Sequence, residues 1–325
     1  MNPQLAVMAS IRGGVFRRTD ARACGYADAD IDALLESGCW RRIRHGMYAA
    51  QRSLMLVTDE VLHLRRVYRV LRASGPDVFA SHQSAAALHA LPVWGLDLAR
   101  VHVTAPDGRS GRLRGGVHRH IRDPVGPGLQ VWNGLRLVSP ARAVAEVAAT
   151  SPVMPALVLA DAAMYAGLVS RRTLRHALTL LDHGNKRAHA VFDQLTGATS
   201  IAESRLRFIL TTEGLPTPSP SPPPDLETPD PDLSAASLWF PDERTIVEYE
   251  PRFPFWCDAF EPTERDPLPE PPAPDPDDPQ PVAQCWISWT DLNDPATVAD
   301  RIRTTFAQAA RRTGIRQFTA ARARN

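Results

Sequence analysis

Along the first 50 residues the hydrophobic positions change from helical to alternating spacing, which predicts a short helix, a turn, a second helix and a hairpin. The first helix, in "TDARACG", is expected to have Thr19 as its N-cap and to end at a glycine. The second helix, in "DADIDALLESG", places Ile31, Leu34 and Leu35 on one face and also ends at a glycine. That face is therefore predicted to pack against a small core.

The next segment, "CWRRIRHGMYAA", alternates between hydrophobic and polar residues as two paired strands do. Trp40, Ile43 and Tyr48 are predicted to face the core. Three arginines are predicted to point largely outward, namely Arg41, Arg42 and Arg44. The segment thus predicts a hairpin with a basic surface.

From about residue 54 to residue 196 both spacings occur, which predicts a mixed α/β region. Helices are predicted in "VLHLRRVYRVLRASG", "SHQSAAALHALP", "SPARAVAEVAATS" and "MPALVLADAAMYAGLVSRRTLRHALTLL". Strands are predicted in "RVHVTAP", "GGVHRHI" and "LQVWNGLRLVS".

The last part of the chain begins with a predicted helix, "SIAESRLRFILTTEG", in which Ser200 and Glu203 form a capping box. A hairpin over residues 235–250 follows. A strand in "AQCWISW" and a helix over about 295–311 complete this region.

Two proline-rich stretches interrupt the last region. Of the 30 prolines, 17 fall within residues 216–231 and 262–281. Proline lacks an amide donor and disfavours the helical conformation in the residue before it. Both stretches are therefore predicted to be loops or linkers with local polyproline II character.

Charge is unevenly distributed along the chain. The formal net charge is +1, but residues 1–200 hold 25 Lys+Arg against 15 Asp+Glu, whereas residues 201–325 hold 12 against 21. A basic front with a net charge of +10 suits a polyanionic partner, and the acidic tail carries −9. The four cysteines form no C-x-x-C pair, which argues against a zinc ribbon. Without a long apolar run or a signal-like start, we expect a cytoplasmic protein with no membrane partner.

The order of elements in residues 9–50 is that of a winged helix-turn-helix, in which the second helix enters the major groove and the wing contacts phosphate. Arginine binds phosphate oxygens with its planar, forked guanidinium. The candidate DNA contacts are Arg17, Arg18, Arg41, Arg42 and Arg44. The second helix instead carries four acidic residues and no basic one, so its charge opposes entry into the groove. A small helical domain with a solvated acidic face is the alternative interpretation.

Several segments resemble, in order, the AbiEi-type antitoxins common in actinobacteria: "GGVFRRTDARACGY", "LESGCWRRIRHGMYAA", "SHQSAAALHALPVWG", "VHRHIRD" and "GLRLVSPARAVAEVA". The later "AESRLRFILTTEGLP", "LWFPDERTIVEYE" and "CWISWTDLNDPATVADRIRTTF" are similar to a domain of unknown function that is related to very-short-patch-repair endonucleases. The resemblance implies a DNA-binding front, an AbiEi-like middle and a restriction-endonuclease-like tail.

In that endonuclease-like family a glutamate on the first helix, an aspartate on the first hairpin strand and a glutamate on the second strand hold a divalent metal. Glu203 and Glu248 match the two glutamates. If "PDER" closes the hairpin with a two-residue loop, position 248 pairs with position 237 and the two share a face. This chain has Ser237 there, and a neutral hydroxyl is a poor ligand for a hard cation. We therefore predict a degraded hydrolytic site.

Two further departures concern the same site. Glu250 occupies the position at which the active nucleases have a lysine, and the proline-rich stretch 262–281 replaces the family's charged helix. A rescued site that uses Asp232 or Asp258 is the alternative. No cofactor is expected, except Mg²⁺ if the chain is a nuclease after all.

A second candidate basic patch lies in "GRSGRLRGGVHRHIR", a probable hairpin that either binds nucleic acid or is simply solvated. Its arginines are Arg109, Arg112, Arg114, Arg119 and Arg122. His118 and His120 fall on one strand face, but two imidazoles without a third ligand nearby in the sequence favour surface residues over a metal site.

Taken together, the sequence predicts an α+β multidomain protein. We expect a winged helix-turn-helix at 1–52, a mixed α/β AbiEi-like domain at 53–197 and a degenerate restriction-endonuclease-like domain at 198–318. The predicted function is a non-catalytic, DNA-binding transcriptional regulator or antitoxin, with double-stranded DNA and a cognate toxin as partners.

Two alternatives make different predictions. A metal-dependent DNA endonuclease would show Mg²⁺- or Mn²⁺-dependent cleavage that Glu248→Ala abolishes. An interaction protein that uses its acidic, proline-rich tail would bind DNA more tightly once residues 201–325 are removed.

Overall fold

The computed structural model describes residues 2–44, 46–50, 58–106, 113–121, 128–181, 184–219, 237–250 and 282–313. These residues form eleven α-helices and three β-sheets. None of the helices in these ranges combines the length and the apolar character needed to cross a lipid bilayer. The proline-rich stretch 262–281 lies outside the described residues, as does stretch 216–231 beyond residue 219.

The described chain divides into two compact units. The first contains the residues up to Gly197, and the second contains those from Ala198 onward. Each unit has its own hydrophobic core.

The first 50 residues form three helices and a three-stranded antiparallel sheet of order β1-β3-β2. The elements are α1 (Pro3–Ile11), β1 (Phe16–Arg17), α2 (Arg18–Ala23), α3 (Asp28–Glu36), β2 (Trp40–Arg44) and β3 (Met47–Ala50). Helix α1 was not predicted, although Asn2 caps it and Pro3 fills its first position, which is a familiar start signal. Leu5 of α1 is fully buried, so the helix completes the core beneath the sheet.

Most of the predicted packing in this segment is confirmed. Ile31 is fully buried, and Trp40 and Tyr48 face the same core. The prediction for Ile43 is wrong, since 42 % of this residue is exposed. The strand register shifts between Arg42 and Arg44, so Ile43 occupies a β-bulge that turns it out of the alternation.

The predicted start of α2 is also wrong. The helix begins at Arg18 and its N-cap is Arg17, not Thr19. The Asp20 carboxylate accepts a hydrogen bond of 2.7 Å from the Arg17 backbone N–H, and this bond closes the first turn in place of a threonine cap.

The rest of the first unit surrounds a six-stranded mixed sheet of order β6-β7-β5-β4-β9-β8. The strands are β4 (Phe79–Ala80), β5 (Val101–Ala105), β6 (Leu113–Arg114), β7 (Val117–Ile121), β8 (Leu129–Trp132) and β9 (Leu135–Val138). The helices are α4 (Asp59–Ala73), α5 (His82–Leu88), α6 (Pro140–Thr150), α7 (Val153–Tyr165), α8 (Arg171–Thr179) and α9 (Asn185–Asp193). Each helix and strand segment predicted here is present, with the last helical segment divided into α7 and α8, and α9 and β4 are additional. Strands β6 and β7 pair antiparallel, which confirms the predicted hairpin within the described residues.

The second unit packs two helices on a three-stranded sheet. Its elements are α10 (Ile201–Thr212), β10 (Ser237–Phe240), β11 (Thr245–Tyr249), β12 (Ala283–Ile287) and α11 (Pro295–Thr313). Strands β10 and β11 are antiparallel and pair Ser237 with Glu248, which confirms the predicted register. Strand β12 adds in parallel to β11. Leu206, Phe240 and Ile302 belong to the core that joins the helices to the sheet.

Candidate nucleic-acid interface

The hairpin of β2 and β3 is held at its base by aromatic packing. The Trp40 ring meets Phe16 edge-on at 4.7 Å between centroids and lies 5.0 Å from the Tyr26 ring. Trp40 is only 3 % exposed, so the start of β2 is fixed to the core. The remainder of β2, from Arg41 to Arg44, is exposed.

The strand register places the arginines of this sheet on defined faces. Arg17 of β1 and Arg44 of β2 both lie opposite Met47 of the central strand. Arg41 lies opposite Ala49, which is two residues from Met47 on the same face of β3. Because directly opposed residues share a face, Arg17, Arg41 and Arg44 lie on one face of the sheet, and we call them the wing arginines. All three are exposed.

Arg42 has a different orientation. It lies opposite Tyr48, whose side chain belongs to the core face, yet Arg42 itself is exposed at the edge of the sheet. In a regular strand, residues two apart share a face. Because of the bulge after Arg42, Arg44 shares the face of Arg41 although it is three residues away.

Ion pairs with arginines of α2 neutralise part of the acidic charge of α3. The Arg18 guanidinium donates to Asp28 Oδ1 at 2.6 Å and to Asp32 Oδ1 at 2.8 Å, and Arg22 forms a second ion pair with Asp28. Hydrogen bonds from Arg22 and Arg18 lower the pKa of the Asp28 carboxyl. Asp30 accepts the Ala27 backbone N–H at 2.9 Å. Three of the four acidic residues of α3 are therefore engaged within the segment.

The same ion pairs engage Arg18, which is one of the predicted DNA contacts. Hydrogen bonds to Asp28 and Asp32 raise the pKa of its guanidinium. A phosphate contact by Arg18 would have to replace these ion pairs, whereas the three wing arginines carry no such ion pair among the described contacts.

In the second unit, the carboxylates matched to the nuclease positions are held by the protein itself. Glu203 accepts from the Thr199 backbone N–H and hydroxyl, both at 2.8 Å, and pairs with Arg207 Nε at 2.8 Å. Ser200 caps the helix as predicted, accepting from the Glu203 N–H at 3.1 Å, but the Glu203 side chain reaches back to Thr199 instead of completing a capping box with Ser200.

The other two glutamates lie on or beside β11. Glu250 is buried and accepts the Trp289 backbone N–H at 2.9 Å. Glu248 is half-buried opposite Ser237, and burial raises the pKa of its carboxyl. Within the described ranges, no group of three metal-ligating side chains includes any of these glutamates. Asp232 and Asp258 lie outside those ranges.

The second basic patch is described only in part. Arg119 is on β7 and is half-buried. Arg114 is on β6, where the structure describes the backbone alone. Arg109, Arg112 and Arg122 lie outside the described residues.

Three histidines in the described residues lie close enough together to bind a metal ion. This group was not predicted from the sequence. It consists of His82, His102 and His120, whose ligand atoms lie within 4.8 Å of one another. His118 and His120 share a face of β7 as predicted, but both are half-buried beside His102 rather than at the surface. The missing ligands come from α5 and β5, which are distant in sequence.

Comparison with known proteins identifies a family that matches the amino-terminal segment. Residues 6–51 match a family described as "Transcriptional regulator, AbiEi antitoxin". No curated protein matches the chain. The matched segment contains most of α1, all of α2 and α3, the sheet and the wing arginines, so the match supports an AbiEi-type segment at the amino-terminal end of this chain.

Proposed function

We propose that this protein is a DNA-binding transcriptional regulator of the AbiEi-antitoxin type that acts without hydrolysing DNA. The observation that carries the proposal is the shared face of the wing arginines within the segment that matches the family. Exposed arginines that share one face of a short sheet can contact successive phosphates of one strand.

The internal ion pairs of α2 and α3 weaken the objection that an acidic helix would repel DNA. Arg18 and Arg22 offset Asp28 and Asp32, so the charge that remains uncompensated in this segment is mainly that of the sheet. Phosphate contacts fix the position and orientation of a protein on the duplex but carry no sequence information directly. The proposal therefore assigns positioning to the wing arginines and leaves base recognition to other contacts or to DNA shape.

A cognate toxin is the second proposed partner. It follows from the antitoxin family alone, so it is tested separately by asking whether co-expression of this protein relieves growth inhibition by the product of a neighbouring nucleotidyltransferase-like gene. DNA binding without such relief would support a regulator that is not an antitoxin.

Gel retardation of labelled duplex from upstream of the gene tests the DNA-binding proposal. We expect the native protein to shift this duplex at low salt and Arg41→Ala/Arg44→Ala to weaken the shift strongly. Arg172→Ala/Arg187→Ala is the matched control, because both arginines are exposed on α8 and α9, outside the matched segment. Equal binding by the wing variant and the native protein would refute the proposal, and Mg²⁺-dependent nicking by the native protein would favour the nuclease alternative.

A further inference from the structure

Three imidazoles from separate elements converge on the face of the large sheet that α5 covers. His82 is the first residue of α5, His102 is in the middle of β5, and His120 is on the neighbouring parallel strand β7. His102 Nδ1 and His120 Nε2 are 3.0 Å apart, and the His82 ring stacks on the His120 ring at 3.9 Å between centroids. We propose that His82, His102 and His120 bind one divalent transition-metal ion, with Zn²⁺ the expected occupant.

The spacing of the ligand atoms is close to what such an ion needs. Zn–N bonds are about 2.0–2.1 Å, so the nitrogens of a tetrahedral site lie roughly 3.3 Å apart. One nitrogen pair is already at 3.0 Å, and all three ligand atoms are within 4.8 Å of one another. The widest pair of ligand atoms therefore has to close by up to about 1.5 Å, through rotation of the side chains, to reach binding distance.

A buried carboxylate orients the first ligand. His82 Nδ1 lies 3.4 Å from Glu146 Oε2, and that same oxygen accepts the His82 backbone N–H at 3.1 Å. Glu146 is itself held by Arg142 Nε at 2.9 Å. When Nδ1–H points at this carboxylate, the lone pair of the ring is on Nε2, which then acts as the ligand atom in the proposed site. Metal-bound histidines almost always donate their other ring N–H to a carboxylate, a backbone carbonyl or a water molecule.

The backbone of His82 is unusual as well. Its φ is +50°, in the left-handed region that side chains other than glycine seldom adopt. Ser81 Oγ is 3.1 Å from His82 Nδ1, the same ring nitrogen that lies near Glu146, so two polar partners hold the ring at this nitrogen. Strained backbone that persists in a packed structure is concentrated at ligand-binding sites.

The donor set selects the class of metal ion, because all three ligands are imidazole nitrogens. Neutral imidazole nitrogen suits Zn²⁺ and its first-row neighbours, whereas Mg²⁺ and Ca²⁺ prefer oxygen ligands. His118 stacks on His120 at 4.2 Å and lies 5.0 Å from the His102 ring, so it borders the three ligands without belonging to the set whose ligand atoms lie within 4.8 Å of one another.

Gln83 supplies an acceptor that the metal-bound state requires. Its Nε2 lies 3.0 Å from His102 Nε2 and 3.0 Å from the Asp97 carbonyl, while its buried Oε1 has no hydrogen-bond partner among the described atoms. Coordination through His102 Nδ1 moves the ring proton to Nε2. Reorientation of the Gln83 amide then lets Oε1 accept the hydrogen bond from that N–H and gives up the bond from Gln83 Nε2 to the Asp97 carbonyl.

The test uses the full, untagged chain after chelator treatment. We expect one Zn²⁺ per chain by elemental analysis after reloading, and Co²⁺ substitution should give the intense visible bands of a tetrahedral ion. Glu146→Gln, which keeps the ligands and removes the orienting charge, should weaken Zn²⁺ binding by about 10–100-fold in a competition titration. His120→Gln should abolish stoichiometric binding.

His176→Gln is the matched control, because His176 is exposed on α8 and is not part of the cluster. Tight binding that survives His120→Gln, or that falls equally in the control, would overturn the site. If His120→Gln does not fold, the native protein still decides the question, since failure to retain Zn²⁺ together with an octahedral Co²⁺ spectrum is the opposite of what we expect.

Discussion

The salt dependence of DNA binding gives the sharpest test of the wing arginines. Each phosphate that a protein neutralises on B-DNA contributes about 0.9 to the slope of log K against log salt. Arg17, Arg41 and Arg44 are exposed and share one face, so they can neutralise up to three phosphates. Replacing all three by alanine should therefore reduce the slope by up to about 2.7.

This change in slope is large enough to measure. Between 50 and 200 mM salt, a difference of about 2.7 in slope corresponds to about 1.6 log units of affinity, or roughly 40-fold. The native protein should thus lose about 40-fold more affinity over this range than the triple variant. Fluorescence anisotropy with a labelled duplex at four salt concentrations gives both slopes directly.

The control for this experiment removes the same charge from elsewhere. Arg172, Lys186 and Arg187 are exposed on α8 and α9, and their triple alanine variant has the same net charge as the wing variant. Its slope should stay close to that of the native protein. If both triple variants change the slope equally, the effect is one of overall charge, and the assignment of phosphate contacts to the sheet is refuted.

Three further predictions concern stability. Trp40→Ala should lower the free energy of unfolding of the first unit by about 3–5 kcal/mol in urea denaturation, because it removes the ring that packs on Phe16 and Tyr26 and leaves a cavity. A loss below about 1 kcal/mol would contradict this prediction. Burial lowers the pKa of His63 to about 4 from 6.5, so the unfolded chain takes up the proton first as the pH falls. About 3 kcal/mol of stability should then be lost between pH 6.5 and 4, and His63→Gln should flatten that dependence in parallel melts. Because burial raises the pKa of Glu248, the folded state disfavours the charged carboxylate at neutral pH. Glu248→Gln should therefore raise the melting temperature at pH 7.5, and this gain should disappear in acid. A lower melting temperature at pH 7.5 would contradict the assignment.

The parts of the fold that could be predicted depend on local rules. The pairing of Ser237 with Glu248 follows from the length of the turn in "PDER", because the register of a hairpin is set where its strands meet. The burial of Ile31 follows from helical periodicity in the same way. The exposure of Ile43 was not predictable, because a β-bulge leaves no simple periodic signal and depends on how the partner strand is held.

The imidazole cluster, in contrast, could not be predicted from local sequence rules. His102 and His120 become neighbours only because β5 and β7 pair in parallel, and His82 joins them only because α5 covers that face. Parallel pairing joins strands that are distant along the chain, so no short sequence window contains the ligand set. A pairing pattern for the sheet, combined with the H-x-H spacing of His118 and His120, would have pointed to it.

The acidic α3 illustrates why the charge of a single element is a weak guide to nucleic-acid binding. Asp28 and Asp32 face arginines of α2, and Asp30 closes the first turn of its own helix, so these carboxylates stabilise the packing of the two helices. The arginines of the sheet have a different role, because their positions follow from strand register and a bulge rather than from acidic partners. Coulomb energy near a surface falls steeply with distance and salt. A phosphate near the wing arginines therefore interacts far more strongly with them than with the partly compensated charges of α3. The sheet rather than the helix should then determine how the protein is oriented on DNA.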